Sequence, residues 1–153
     1  MRTKLINNKD YVLCSWRRRW VRLTPEEWVR QHFLDRLTTD FGYPHELIAV
    51  EVPLATASST LGSVPPHLGG AGGGLRADAI VYDKQMQPLM LLEFKREDVA
   101  LTQRVLDQAA VYNRQLHVPY LILSNGPETI IARVHADRFD FLPAIPTWTQ
   151  LSN

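Results

Sequence analysis

Cysteine and long apolar runs are the two features that this sequence most clearly lacks. Cys14 is the only cysteine among 153 residues, so no intramolecular disulfide can form and a reducing compartment is expected. No run approaches the roughly 18 apolar residues of a membrane span, and the first residues contain no apolar signal segment. We therefore expect a cytoplasmic protein that has no membrane among its partners.

A large excess of charge of one sign is also missing. The 17 Lys and Arg residues nearly balance the 16 Asp and Glu residues, which gives a formal net charge of +1. Binding of nucleic acid would therefore depend on local patches and not on a global attraction. The sequence contains no G-x-x-x-x-G-K-[ST] phosphate-binding loop, so no ATP motor is expected in this chain. The 5 histidines show no zinc-ligand spacing.

One local basic patch is present in "SWRRRWVR", residues 15–22. Its arginines alternate with Trp16 and Trp20, a mixture that can contact phosphates and stack on bases. The same pattern also fits an edge strand whose arginines extend into solvent. The sequence leaves both interpretations open.

Residues typical of a helix start follow this patch. Thr24 can be the N-cap, Pro25 suits the first helical position and Glu27 can complete a capping box, so a helix over about residues 25–40 is predicted. The other segments are assigned from residue preferences and turn sequences: a strand at 46–54, a mobile loop rich in Ser, Pro and Gly at 56–74, strands in "LRADAIVYD" and "PLMLLEFKR", a helix at 101–116, and a hairpin around Asn125-Gly126. This order predicts an α/β fold, a mixed sheet with helices packed on it, in a single domain of residues 1–153.

Charged residues interrupt two of the apolar strands. Asp78 opens the first, and Glu93 and Lys95 lie on one face at the end of the second. A hairpin between these strands can bring Asp78 beside Glu93, where two carboxylates repel each other unless one is protonated or a cation lies between them. Such oxygen ligands suit Mg²⁺, and a neighbouring lysine could orient a water or neutralise charge during phosphodiester hydrolysis.

These residues resemble the Asp, then Glu-x-Lys, signature of the PD-(D/E)xK nuclease superfamily. Five ordered segments are similar to one branch of it, the N-terminal nuclease domain of type I restriction-enzyme motor subunits: "LTPEEWVRQHFLDRLTTDFGYP", "LRADAIVYD", "LLEFKRED", "LDQAAVYN" and "LILSNG". The similarity covers about residues 15–130. It implies a restriction-endonuclease-like mixed β-sheet core flanked by helices.

The resemblance also implies roles for individual residues. Asp78 and Glu93 correspond to metal ligands for Mg²⁺, with Mn²⁺ as a substitute, and Lys95 corresponds to the catalytic lysine. Gln108 and Tyr112, one helical turn apart, match the Gln-x-x-x-Tyr motif of the branch, which implies a catalytic role for Gln108. Ala77 replaces the proline of the superfamily's name, which binds no metal.

An acidic residue on the first helix often completes the metal site in this superfamily. Glu26 continues the apolar stripe of Val29 and Phe33, whereas Glu27 lies about 100° around the helix. Helical phase therefore favours Glu26, and the choice stays open. The expected DNA contacts come from Arg17, Arg18, Arg19, Arg76 and Tyr112.

Together these patterns predict a Mg²⁺-dependent DNA endonuclease of a restriction, defence or DNA-processing system. Its expected partners are DNA and other restriction or defence subunits, with a homodimer as a further possibility. The alternative is a non-catalytic module that uses a nuclease scaffold to hold nucleic acid or protein. RNA is not excluded as the substrate.

Overall fold

The computed structural model describes residues 1–53 and 76–152, without the side chains of Tyr112, Arg114 and Gln115. The loop predicted at 56–74 therefore lies outside the described residues. The described part contains three α-helices, which are α1 (Pro25–Thr39), α2 (Gln103–Leu116) and α3 (Trp148–Leu151), and a 3-10 helix at His45–Leu47. Its strands are β1 (Thr3–Ile6), β2 (Lys9–Cys14), β3 (Arg19–Arg22), β4 (Ile48–Pro53), β5 (Arg76–Tyr82), β6 (Pro88–Phe94), β7 (Tyr120–Ser124), β8 (Thr129–Val134) and β9 (Phe139–Phe141).

The main sheet has six strands in the order β4-β5-β6-β7-β8-β9. Only β6 and β7 pair in parallel, and α2 makes the crossover between them, while the other neighbours are antiparallel. A parallel pair needs such a long connection, whereas antiparallel neighbours can be joined by short turns. The predicted mixed sheet with helices is therefore confirmed.

Helices cover both faces of the centre of this sheet. Met90, Leu91 and Leu92 of β6 are all fully buried, because successive residues point to opposite faces and each face is covered. On one face, Phe33 of α1 packs on Phe94 with ring centroids 5.3 Å apart. On the other face the buried residues of α2, among them Leu106, Ala109 and Leu116, pack against the sheet.

A second sheet is formed by β1, β2 and β3, which pair antiparallel. Asn7 and Asn8, both with positive φ, make the two-residue turn between the first two strands, and Asn tolerates this conformation better than most residues. The basic segment at 15–22 thus forms the β2–β3 turn and β3. The edge-strand interpretation is confirmed for Arg19–Arg22, which lies at one edge of this sheet.

The predicted helix at 25–40 is confirmed, with one correction at its start. The Thr24 hydroxyl accepts from the Glu27 N–H at 3.1 Å, as an N-cap does. The Glu27 carboxylate, however, accepts hydrogen bonds from Arg17, Arg30 and Gln31. Charged donors are stronger partners for a buried carboxylate than the backbone N–H of Thr24 would be.

Candidate active site

The pairing of β5 with β6 brings two acidic residues to the same end of the sheet. Ala79 pairs with Leu92, and one further step in that register sets Asp78 opposite Glu93. The Asp78 carboxylate accepts a hydrogen bond from the Phe94 backbone N–H at 2.7 Å. The hairpin geometry expected from the sequence therefore holds, and it fixes the Asp78 side chain against the backbone of β6.

Glu93 carries a carboxyl oxygen that is buried without a local partner. This atom, Oε1, has no hydrogen-bond partner in the described part of the chain. Burial, and next the negative charge of Asp78, raise the pKa of Glu93 from 4.5 to about 9. A buried polar atom that lacks a partner costs about 1–3 kcal/mol, and more if charged. Glu93 is thus neutral at pH 7 unless a cation binds beside it.

The raised pKa of Glu93 predicts how the stability of the protein depends on pH. The stability contributed by neutral Glu93 is fully present below the unfolded pKa of about 4.5 and is lost progressively as the pH rises from there through about 9. In metal-free buffer at pH 8, we expect Glu93→Gln to be more stable than wild type by on the order of 3 kcal/mol, and at pH 4 we expect little difference. Urea unfolding in EDTA at both pH values measures this. The exposed Glu128 supplies a control variant, Glu128→Gln; equal pH dependence of all three proteins would contradict the prediction.

Arg30 of α1 is the cation closest to Asp78 among the described contacts. The side chain is only 5% exposed, and its Nη2 donates to Asp78 at 3.1 Å. Its Nη1 donates to Glu27 at 2.7 Å. Glu51 lies 3.5 Å and Glu26 lies 3.6 Å from the same guanidinium. One arginine therefore neutralises part of the charge of four carboxylates.

Glu51 joins this cluster from strand β4. The β4–β5 register runs from Val50↔Ala79 to Val52↔Ala77, which sets Glu51 opposite Asp78. Its φ of 54° lies in the left-handed region, which costs a non-glycine residue on the order of 1–3 kcal/mol and persists only where other contacts hold it. The ion pairs of Glu51 with Arg17 and Arg30, both at 3.5 Å, are contacts of this kind.

The two acidic residues at the start of α1 have different surroundings. Glu27 is buried and ion-paired to both Arg17 and Arg30. The Glu26 side chain is 41% exposed, and its pKa is raised by burial and by Asp78, while Arg30 and Lys95 oppose that rise. Glu26 therefore lies within electrostatic range of the Asp78 end of the sheet, and Glu27 faces the arginines.

Lys95 follows Glu93 at the end of β6. Its backbone N–H donates to the Ser124 carbonyl at 2.9 Å, so its main chain is held against β7. The side chain is half-buried, and its positive charge acts to lower the pKa of both Glu26 and Glu93. The ammonium group is thus close enough to both carboxyl groups to affect their pKa values.

For the other predicted site residues, the structure describes no contact with Asp78, Glu93 or Lys95. Gln108 lies in the second turn of α2 and is exposed, and the side chain of Tyr112 lies outside the described atoms. Arg76, the first residue of β5, is exposed. The catalytic role of Gln108 and the DNA contacts of Arg76 and Tyr112 stay predictions.

The three predicted arginines of the basic patch also differ in their surroundings. Arg18 and Arg19 are both exposed, whereas the Arg17 side chain is only 11% exposed and pairs with Glu27 and Glu51. In this structure Arg17 is therefore ion-paired with the protein's own carboxylates. Arg30 and Glu51 are the site neighbours that sequence reasoning missed, and for Arg17 it expected DNA and not these carboxylates. Only the Glu26–Arg30 and Glu27–Arg30 spacings were visible beforehand.

The donor set fits a hard divalent cation. Asp78 and Glu93 offer carboxylate oxygens, and the unpartnered Oε1 of Glu93 is the atom that a cation would satisfy. Within residues 1–53 and 76–152, no group of three or more His, Cys, Asp or Glu side chains forms a metal cluster. Mg²⁺ commonly uses one or two carboxylates and completes its shell with waters and substrate phosphates, so the pair suffices. Glu26 as a further ligand stays a prediction.

Comparison with known proteins defines first the class of fold. The chain is similar to a solved fragment assigned to the HsdR subunit of a type I restriction enzyme from Vibrio vulnificus YJ016, with a TM-score of 0.58 and 19% identity over 84% of this chain and 24% of that one. This similarity defines a restriction-endonuclease-like fold. A second structure, the type IIG restriction endonuclease BpuSI, has a TM-score of 0.45 and 18% identity over 74% of this chain and 11% of that one.

The family follows from the sequence. A model described as type I restriction enzyme R protein N terminus matches residues 25–146, and the chain belongs to this family. No curated protein matches it significantly. The chain corresponds to about a quarter of the length of the first of these structures. In the described residues no helix is long and apolar enough to cross a membrane.

Proposed function

We propose that this chain is a Mg²⁺-dependent nuclease domain that hydrolyses phosphodiester bonds in DNA, in a restriction or defence system. The observation that carries the proposal is the pair of Asp78 and Glu93, in which a buried carboxyl oxygen lacks a partner beside a half-buried lysine. Proteins rarely keep such a group without a functional reason. Family membership supports the restriction context and other restriction subunits as partners, while the single cysteine supports a cytoplasmic location.

The roles of the residues follow from their positions. Asp78 and Glu93 would hold the cation, which when bound polarises a phosphate and lowers the pKa of a water molecule. Asp78 is oriented by the Phe94 N–H and by Arg30, so its carboxylate is held in one direction before metal binds. Lys95 would orient the attacking water or neutralise charge that develops on the phosphate.

Arg30 has a supporting role in this proposal. Its guanidinium holds Asp78 from the α1 side and leaves the second carboxylate oxygen with the Phe94 N–H. It also limits the repulsion among four acidic side chains. We therefore expect Arg30 to position Asp78 without contacting the substrate.

Asp78→Asn tests the metal site directly. Asparagine keeps the size of the side chain and can still accept from the Phe94 N–H, but it lacks the charge that binds Mg²⁺. We expect calorimetric titration to show Mg²⁺ or Mn²⁺ binding to wild type and none to the variant, and nicking of supercoiled plasmid to be lost with it. Asp137→Asn, at a residue 80% exposed, is the matched control.

Each outcome of this experiment has a distinct meaning. Wild-type metal affinity in Asp78→Asn would contradict the proposed site. Metal binding by wild type without cleavage of plasmid or of a labelled RNA strand would favour the non-catalytic binding module. Cleavage of RNA alone would change the substrate and keep the mechanism.

A further inference from the structure

The small sheet has one face that points away from the rest of the protein. Val12 and Cys14 of β2 are fully buried, so the alternate residues of β2 lie on the opposite, outer face. The strand registers Lys4↔Tyr11 and Tyr11↔Arg22 place these three residues in one row across that face. We call this outer surface the basic face, with the residues Arg2, Lys4, Lys9, Tyr11, Trp20 and Arg22; the same registers also place the apolar Ile6 and Leu13 on it.

The charge of the basic face is uniformly positive. Arg2, Lys4, Lys9 and Arg22 are all exposed, and none forms an ion pair with another residue in the described parts of the chain. The acidic residue of β2, Asp10, alternates to the other side, beside Leu23 and Trp28. Four unpaired cations on one sheet face of a chain with net charge +1 form a local patch that attracts a polyanion.

The two aromatic residues hold these cations in place. The Lys4 ammonium lies 4.0 Å and the Arg2 guanidinium 5.9 Å from the centroid of the Trp20 ring. The Arg22 guanidinium lies 5.7 Å from the centroid of the Tyr11 ring. Cation–π contacts of this type contribute about 0.5–1 kcal/mol at exposed sites, and they reduce the freedom that long side chains lose on binding.

This arrangement also selects the type of polyanion. Because the chain's own cations lie over the Trp20 and Tyr11 rings, those ring faces are not free to stack on unpaired bases, as single-strand binding requires. The cations themselves can contact phosphates, which duplex DNA presents along its outside.

The turn of the hairpin that carries the basic face contacts residues of the candidate site. Arg17, in the turn that joins β2 to β3, pairs with Glu27 and Glu51. Trp16, in the same turn, stacks on His45 with ring centroids 4.5 Å apart. The hairpin that carries Tyr11, Trp20 and Arg22 is therefore anchored beside Asp78.

We propose that the basic face binds the phosphate backbone of duplex DNA and holds it to the protein without reading its sequence. The choice of DNA as the polymer rests on the proposed function, but binding to this face does not require cleavage. Phosphate contacts of this kind position a protein on DNA and carry no sequence information of their own.

The test compares two double variants with the same loss of charge. Lys4→Gln/Arg22→Gln removes two cations of the basic face, and Arg36→Gln/Arg138→Gln removes two arginines elsewhere that are 64% and 61% exposed. Anisotropy of a short labelled duplex, in EDTA and over a series of NaCl concentrations, gives the dependence of log affinity on log salt. We expect this slope to become less steep by about 2 in the first variant, and to stay at the wild-type value in the second.

Several results would overturn the inference. The two variants could lose affinity equally, or single-stranded DNA could bind wild type more tightly than duplex does. Binding to phosphatidylserine vesicles but not to duplex DNA would identify the face as a lipid-binding surface instead. Melting temperatures establish that both variants are folded. If the expected slopes are found and plasmid is not nicked in Mg²⁺, the proposed function fails and the DNA-binding face stands.

Discussion

Lys95→Ala should lower the rate of Mg²⁺-dependent plasmid nicking by about 10²–10³-fold, the loss typical of removing one group that stabilises developing charge. The ammonium of Lys95 is close enough to affect the pKa of both Glu26 and Glu93, so it lies at the end of the sheet where Asp78 and Glu93 meet. Charge that appears only in the transition state is stabilised by such a group more than the bound substrate is. The rate should therefore fall far more than the affinity for DNA.

The measurement pairs nicking rate with DNA affinity by anisotropy. Lys84→Ala, at an exposed residue in the turn before β6, removes the same charge away from the site and should keep the wild-type rate. Lys95→Ala also removes a cation beside Asp78 and Glu93, so Mg²⁺ should raise its melting temperature more than it raises that of wild type. A Lys95→Ala protein that nicks plasmid at the wild-type rate would refute the proposed mechanism.

Arg30→Met should lower the free energy of unfolding by about 3–5 kcal/mol in metal-free buffer. Methionine can fill the space of the arginine stem, but it leaves the buried Glu27 with one cation fewer and Asp78 with none of its present ion pairs. Removing one partner of a buried ion pair costs more than the pair itself contributes, because the remaining charge stays desolvated. The variant should therefore unfold at a much lower urea concentration.

Two comparisons separate this effect from a general loss of charge. Arg36→Met removes an arginine from the exposed pair with Asp40 on the same helix, and it should change stability by less than about 1 kcal/mol. Arg30→Lys keeps the charge but not the two-pronged contact with Glu27 and Asp78, so its stability should lie between those of Arg30→Met and wild type.

Metal provides a further readout for Arg30. Without its guanidinium, Asp78 and Glu93 attract a cation more strongly, so Mg²⁺ should stabilise Arg30→Met more than wild type. Wild-type stability of Arg30→Met in EDTA would show that the carboxylate cluster does not depend on this arginine. Equal stabilisation of both proteins by Mg²⁺ would show that Arg30 does not act on the metal site.

Several features of the fold and site could be predicted from the sequence because they depend on short-range rules. The start of α1 follows from the N-cap Thr24 and from Pro25. The approach of Asp78 to Glu93 follows from two strands in a hairpin, since strand residues pair in a fixed register. The Asp and Glu-x-Lys residues, together with the flanking segments that occur in the expected order, also indicated the family to which the chain belongs.

The small N-terminal sheet was not predicted, although its turn was visible in principle. Asn7-Asn8 is a two-residue turn with positive φ at both positions, but short, exposed β1 has no buried residue and lacks the apolar alternation that marks a strand. Its stability comes from pairing with β2, whose Val12 and Cys14 are buried. The basic face could not be recognised until the pairing of all three strands was known.

What the sequence by itself determined is therefore the order of the elements from α1 to β8, the family and the two carboxylates that meet across one hairpin. These depend on local conformational preference and on the period of two residues along a strand. Only the tertiary structure decided that Arg30 meets Glu51 and Asp78 and that Arg17 meets Glu27 and Glu51. These residues come from different elements, whose contacts no local pattern specifies. The physical reason is that a buried charge selects its partner by distance after the core has packed, and that distance is a property of the whole fold.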